Sequence, residues 1–498
     1  MKSILLPVLA LLLTGCAAID PGKASLTEIP GAQLGLTQEP IVWPHTQWWR
    51  RYHDTQLDHV MELALANNPS LSSAKARIDL ANAAVRGAHA VQLPQLDLAY
   101  VQSRQRFSEN YIYPPPFAGS MYTDSSLKLN VGFDLDLWGK NRAKYAAAVS
   151  RAKASQADLA VARNMLAGNV VQSYFNLQNA LVQEKVLGDI AKQQANVLAI
   201  THDRVKAGLD TEVEVNQADS ALSAVKVQLN QAGVNAQLLR HQLAALAGQG
   251  PDQGNTIVAV PLTRPPQGVP STLPLNLLGR RPDIVAARAQ VEAATSDVSS
   301  AKADFYPNIN LSAFAGFVSL GLGNLLKDGS ITYGAGPAIT LPIFHGGALN
   351  AQLGGKKAER DLAIANYNQV LLNAVRDVAD AATSIRSLRQ QIKDQHASYV
   401  AIASAYGIAV KRYKSGLGNF VQVLQAQSEM QKQALLDVNL QARAYTLDAQ
   451  LAVALGGGYD SAQPEKPHTQ PVAAPLQAPG KPVAAPAAGL PLAATPTR

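Results

Sequence analysis

The feature that most constrains this chain is an alternating segment followed directly by a very long helical one. Between residues 127 and 137 every odd position is apolar, and every even position is polar or glycine. A period of two is typical of a strand with one apolar and one polar face. After Trp138 and Gly139, the segment from Lys140 to Lys206 contains no proline and only two glycines. This composition predicts one helix about 100 Å long, at 1.5 Å per residue.

The same succession of strand and long helix occurs twice, which predicts a tandem duplication. In the second copy Phe344 and Gly346 are expected at the strand-to-helix junction, where Trp138 and Gly139 stand in the first. The prolines at 69 and 282, and those at 94 and 307, are 213 positions apart. The glycines at 208 and 416, and those at 248 and 456, are 208 positions apart.

Each predicted repeat contains a helix, two strands, a long helix and a returning helix. The first covers residues 56–248, with strands at about 95–103 and 122–137 and helices at 140–206 and 211–247. The second covers 280–457, with strands at about 307–318 and 331–343 and helices at 346–414 and 419–455. Residues 249–279 are rich in proline, and this composition predicts a linker or small equatorial subdomain. Residues 458–498, rich in proline and alanine, predict a disordered tail.

The N-terminus has the pattern of a lipoprotein signal. Lys2 precedes about ten apolar residues, too few to span a bilayer. The sequence LTGC at 13–16 then places small residues before Cys16, the single cysteine, which predicts a signal peptide at 1–15 and a diacylglycerol on the cysteine. Residues 16–55 would be a lipidated anchor segment, and Ala17 in place of aspartate favours the outer membrane. An ordinary signal peptide that contains a cysteine is the alternative.

Composition and spacing argue against several classes of function. The net charge is +7 with only 16% charged residues, and the cations are scattered, so nucleic acid is not an expected partner. His53 and His59 are six positions apart, a poor spacing for a shared metal, and no metal site is predicted. Asp134 and Asp136 resemble a glycosidase pair, but a water-facing strand explains them more simply. No nucleophile motif or phosphate loop is present, so neither an enzyme nor a cofactor is predicted.

Four amphipathic strands cannot close a small barrel, which needs about eight. Because open strand edges are not tolerated in lipid, copies of the chain would have to share a barrel, of eight strands for two copies or twelve for three. The positions expected to face lipid are Leu127, Leu129, Phe133 and Leu135. The positions expected to face the lumen are Lys128, Asn130, Asp134, Asp136, Asn308, Asn310 and Thr340.

Seven short motifs, taken together, resemble those of one family. They are LTGC at 13–16, WW at 48–49, DLWGK at 136–140, GRRPDI at 279–284, ADFYP at 303–307, LPIF at 341–344 and YKSGL at 413–417. Over residues 16–457 the chain resembles the TolC-type outer-membrane efflux factors, in their lipidated NodT-like branch. The segment around ADFYP is also similar to members that export fusaric acid and other aromatic compounds.

The resemblance implies a mixed α/β membrane protein that is mostly helical. Three copies would form a homotrimer, with a twelve-stranded β-barrel continuous with an α-barrel of long helices. Such a trimer is the exit duct of a tripartite pump that exports small toxic compounds or drugs. Its implied partners are a periplasmic adaptor protein, an inner-membrane transporter and outer-membrane lipid. A non-conducting coiled-coil lipoprotein or adhesin is the alternative, although such a stalk needs no alternating strands in both halves.

In this family the periplasmic gate lies at the two turns between helices. The tip residues that the resemblance places against the adaptor are Gly208, Leu209, Gly416 and Leu417. Matching by the turn glycines implies that Tyr413 is the gating tyrosine and that Glu214 is its acidic partner. A hydrogen bond between Tyr413 and Glu214 is therefore expected to help hold the gate closed.

The second turn departs from the family pattern. Where some members carry an arginine, this chain has Gly418, and where they carry an acidic ring, it has Gln422 and Gln425. The arginine link and a ring that traps cations are therefore not expected here. Asp210 and Glu212, together with Glu214, could supply negative charge at the tip instead.

Overall fold

The computed structural model of the chain describes residues 25–34, 43–262 and 277–461. As the sequence predicts, long helices and one four-stranded antiparallel sheet dominate it. Apart from short helical turns, the first repeat contains α1 (Thr55–Asn67), α2 (Pro69–Ala90), β1 (Gln95–Arg106), β2 (Met121–Asp134), α3 (Lys140–Lys206) and α4 (Glu212–Leu246). The second contains α5 (Pro282–Ala303), β3 (Asn308–Leu320), β4 (Ile331–Thr340), α6 (Ala348–Lys414) and α7 (Phe420–Ala454). The predicted signal peptide, Cys16, residues 263–276 and the tail from 462 lie outside the described residues.

From α2 and α5 onward the two repeats contain the same elements in the same order, which confirms the predicted duplication. The long helices α3 and α6 each contain 67 residues, and the returning helices α4 and α7 each contain 35. The long helices begin after Gly139 and Gly347, which are both left-handed, with φ of 76° and 86°. Gly347 therefore corresponds to Gly139, at the same offset of 208 as the turn glycines. The sequence alignment of Phe344 with Trp138 is therefore wrong by two positions, although Phe344 and Gly346 do lie in the junction between β4 and α6.

The sheet has the order β1-β2-β3-β4, and its register confirms the two predicted faces. Leu129 lies opposite Leu98 and Ala315, whereas the next residue, Asn130, lies opposite Asp97. Directly opposed side chains in an antiparallel sheet share a face, so most of the apolar positions of the four strands fall together. Val101, Phe314, Val318 and Leu320 lie on the other face, with Lys128 and Asn130. The apolar face includes Leu96, Leu98, Leu127, Leu129, Val131, Phe133, Ile309, Leu311, Phe317, Ile331 and Ile339.

The predicted continuation of β2 to Leu137 is wrong, because the strand ends at Asp134. Asp136 adopts a left-handed φ of 44°. Its carboxylate accepts the backbone N–H groups of Asn141 at 2.8 Å and Arg142 at 2.9 Å. Asp136 therefore satisfies free N–H groups at the start of α3 and does not continue the water-facing row of the strand.

Residues immediately before α1 pack against the helices. Trp48 and Trp49 are 3% and 5% exposed and belong to the main hydrophobic core. Arg51 forms an ion pair with the buried Asp448 of α7, and the Tyr52 hydroxyl donates to the same carboxylate at 2.7 Å. These contacts fix the segment to both repeats. In the described part of the chain, no helix combines the length and the apolar composition that a bilayer crossing needs.

Candidate functional site at the helical tips

The two helical hairpins end in closely similar turns. The chain passes from α3 to α4 through Gly208 and from α6 to α7 through Gly416, with φ of 71° and 75°. Glycine adopts this left-handed conformation without steric cost, as at many helix ends. The next residues, Leu209 and Leu417, are 62% and 71% exposed. Each tip therefore presents one leucine side chain to its surroundings.

Tyr413, near the end of α6, connects the two hairpins. Its side chain is 1% exposed, and its hydroxyl donates to the carboxylate of Asp210 in the first turn. Arg204 of α3 donates to both oxygens of that carboxylate, at 2.7 and 3.2 Å, and to the Tyr413 carbonyl at 2.9 Å. Its guanidinium also lies 4.5 Å from the centroid of the Tyr413 ring. We call Arg204, Asp210 and Tyr413 the tip network.

Charge strengthens the tip network. The hydrogen bond from Arg204 holds the pKa of the Asp210 carboxyl below its usual range, so the carboxylate is ionised at neutral pH. Burial, followed by the bond to Asp210, raises the pKa of the Tyr413 hydroxyl, which therefore keeps the proton that it donates. Hydrogen bonds to charged groups contribute about 1.5–3 kcal/mol each, compared with about 1 kcal/mol for neutral ones.

Glu214 takes no part in the tip network, so the expected bond between Glu214 and Tyr413 is wrong. The Glu214 carboxylate accepts the backbone N–H of Thr211 at 2.9 Å and the Thr211 hydroxyl at 2.5 Å. The Thr211 side chain in turn caps the backbone N–H of Val213. This capping box holds Glu214 against the first turn of its own helix. Asp210 accepts the Tyr413 hydroxyl in its place.

The second tip lacks the acid that the first tip has. By the offset of 208 residues, Gly418 corresponds to Asp210, and Arg412 corresponds to Arg204. Arg412 is exposed and donates to the carbonyl of Leu417 at 3.2 Å. The duplicated arginine is thus retained in both tips, but only the first tip uses it to bind a carboxylate.

Gln422 and Gln425 lie on the exposed side of the first turns of α7. The backbone N–H of Gln422 is capped by the Asn419 side chain at 3.0 Å. Within the described ranges, neither glutamine side chain forms a hydrogen bond. Their place at the gate stays a prediction.

The strand-to-helix junctions carry aromatic side chains at the same end of the sheet. The Trp138 indole N–H donates to the Pro307 carbonyl at 2.8 Å, and the ring stacks on Tyr306 with centroids 4.9 Å apart. In the second repeat β4 ends before Phe344, which is 87% exposed. Gly346 is left-handed, with φ of 57°. Large aromatic surface is thus available at both junctions.

Comparison with known proteins gives one consistent result. Residues 60–249 and 273–457 match the model of a family described as outer membrane efflux protein. The multidrug resistance outer membrane protein MdtQ of Escherichia coli O157:H7 is 33% identical over 465 residues, which are 91% of this chain and 97% of that protein. The fusaric acid resistance protein FusA of Burkholderia cepacia is 36% identical over 359 residues, which are 70% of this chain and 68% of that protein.

A solved structure extends the similarity to three dimensions. The crystal structure of the outer membrane protein VceC from Vibrio cholerae has a TM-score of 0.79 with this chain, at 36% identity. The match covers 84% of this chain and 100% of VceC. The similarity therefore extends over most of this chain.

Proposed function

The chain belongs to the outer membrane efflux protein family, and from this premise we propose that it is one subunit of a passive exit duct through the outer membrane. The observation that carries the proposal is the separation of apolar and polar residues on the two faces of the sheet. On β3 the apolar positions run from Ile309 to Phe317, about 27 Å along the strand. At the tilt of barrel strands this is about 20 Å, close to the apolar band of outer-membrane barrels.

We propose that three chains share one barrel. The sheet of one chain ends in two open edges, on β1 and β4, and lipid does not satisfy the polar groups of such edges. Three copies joined through these edges give twelve strands, enough to leave a water path inside. The polar face would line that path, and α3, α4, α6 and α7 would continue it as a barrel of helices.

The helical tips are the proposed site of contact with a periplasmic adaptor protein, which would link the duct to an inner-membrane transporter. Leu209 and Leu417 are exposed there and offer apolar anchors. The tip network ties the second hairpin to the first, and we propose that it holds the duct closed between transport events. Tyr413 and Asp210 are then the gate residues of this chain.

The proposed cargo is small toxic organic compounds. MdtQ is named for multidrug resistance and FusA for fusaric acid resistance, and both names support a cargo of this kind. Such a duct performs no chemistry on its cargo and needs no cofactor. A lipid on Cys16 stays a prediction from the motif at 13–16, and it would add an anchor to the barrel.

Purification in mild detergent tests the proposed function. Light scattering is expected to give three times the chain mass, and planar bilayers are expected to show channels whose conductance is small while the tips are closed. A monodisperse monomer would contradict the shared barrel. A stable trimer that never conducts would instead support a non-conducting lipoprotein.

We expect the closed state to be insensitive to pH between about 5 and 9. The pKa of Asp210 in the closed tip is lowered. Its contribution to the stability of the closed state is therefore complete above the ordinary carboxyl value of about 3.9 and is lost as the pH falls through the lowered value. The pKa of Tyr413 in the closed tip is raised. Its contribution to the stability of the closed state is therefore complete below the ordinary tyrosine value of about 10 and is lost as the pH rises through the raised value. Conductance recorded from pH 3 to 9 should rise only at the acidic end, and a steep change near pH 7 would contradict this assignment.

A further inference from the structure

A large aromatic side chain lies on the polar face of the sheet. Phe314 shares its face of β3 with Asn308, Asn310 and Ser312, and it lies directly opposite Asn130 of β2. The side chain is 37% exposed. Because β3 is a central strand, assembly through the outer strands leaves this ring uncovered.

Two glycines shape the surface around Phe314. Gly334 of β4 lies directly opposite it, and a Cβ there would be 2.9 Å from Cε1 of the ring. The ring therefore lies over bare backbone. Gly316 lies directly opposite Lys128, and a Cβ there would be 2.1 Å from the carbonyl oxygen of Leu127. A side chain at Gly316 would collide with backbone, and one at Gly334 would displace the Phe314 ring. The two glycines therefore leave the surface beside the ring and the lysine free of side chains.

Lys128 places a positive charge beside the exposed ring. Its ammonium nitrogen lies 5.2 Å from the centroid of Phe314. Among the described residues, no carboxylate comes within the 4.0 Å of an ion pair with Lys128, although Asp97 lies on the same face. The ammonium is thus held by an aromatic ring and remains free to accept an anion.

We propose that Lys128 and Phe314 form a binding site for small aromatic carboxylates in the lumen of the duct. The carboxylate would pair with the ammonium of Lys128, and the aromatic ring would pack against Phe314 above the two glycines. The proposal rests on the proposed function, because the polar face must line the lumen. Binding would be weak, since conduction requires that a permeating molecule leave as readily as it enters. A trimer would carry three such sites at one level.

Ligand-observed NMR on the detergent-solubilised protein tests the site, with 4-fluorobenzoate as the probe. We expect saturable broadening of its fluorine signal, reversed by benzoate. Cyclohexanecarboxylate keeps the charge but lacks the π system, and benzamide keeps the ring but lacks the charge. Each should compete about threefold to tenfold less well than benzoate, because one of the two interactions is missing. Equal competition by all three would overturn the assignment.

Substitutions locate the binding. Lys128→Gln and Phe314→Leu should each weaken binding of the probe by about threefold to tenfold. Phe317→Leu is the matched control, because it makes the same change on the apolar face of the same strand, and it should bind like the wild type. Wild-type affinity in both Lys128→Gln and Phe314→Leu would contradict the site. A conducting wild-type trimer that fails to bind the probe would contradict this site alone, whereas a wild type that neither assembles nor conducts would contradict the proposed function.

Discussion

A chain with Leu129→Arg is expected to give much less trimer than the wild type, whereas Asn130→Arg is expected to give nearly as much. Leu129 lies on the apolar face, between Leu98 and Ala315. An arginine that faces lipid near the midplane costs about 2–4 kcal/mol. Each barrel would contain three such arginines, so the penalty recurs in every subunit. Folding into lipid vesicles, followed by light scattering of the extracted trimer, measures the difference.

The two substitutions control for one another. Leu129 and Asn130 are neighbours in one central strand, and both changes introduce the same side chain and the same charge. Only the face differs, because Asn130 lies on the polar face opposite Asp97. An arginine at 130 can remain hydrated in a water-filled lumen. Equal trimer yields from the two variants would show that the face assignment, or the shared barrel itself, is wrong.

The strands could be predicted from the sequence because alternation records the two faces directly. The end of β2 could not be predicted in this way, because Asp136 continues the alternating pattern beyond the last residue of the strand. Its left-handed φ and its bonds to the N–H groups of Asn141 and Arg142 have no counterpart in that pattern. The alignment of the second junction with the first fails for a similar reason. Phe344 resembles Trp138 as an aromatic residue, but the helix begins after Gly347.

The tip turns could also be predicted, because a left-handed turn residue is a local requirement that glycine meets. The partner of Tyr413 could not, since it lies 203 positions away and depends on how two hairpins pack. One local signal was present: Thr211 and Glu214 have the spacing of a capping box, which engages Glu214 within its own helix. The duplication gives a second signal, because an arginine stands at the equivalent position of both tips, Arg204 and Arg412.

Asp210→Asn is expected to open the tips. The change keeps the shape of the side chain but removes the charge that Arg204 and Tyr413 both contact. Charged hydrogen bonds contribute about 1.5–3 kcal/mol each, and each 1.4 kcal/mol lost shifts the ratio of closed to open tips about tenfold. Single-channel conductance should therefore rise, and cells should become leaky to large antibiotics, with expression unchanged.

Two further variants separate the tip network from the general charge of the tip. Tyr413→Phe removes the hydroxyl that contacts Asp210 and Thr201 but keeps the buried ring and the carbonyl that Arg204 contacts. Its effect should therefore be in the same direction and smaller. Glu214→Gln makes the same acid-to-amide change as Asp210→Asn, at an acid that only caps α4, and its conductance should match the wild type. If Glu214→Gln opened the duct as far as Asp210→Asn, the summed negative charge of the first tip would be holding the gate. If Asp210→Asn conducted like the wild type, the tip network would play no part in closure.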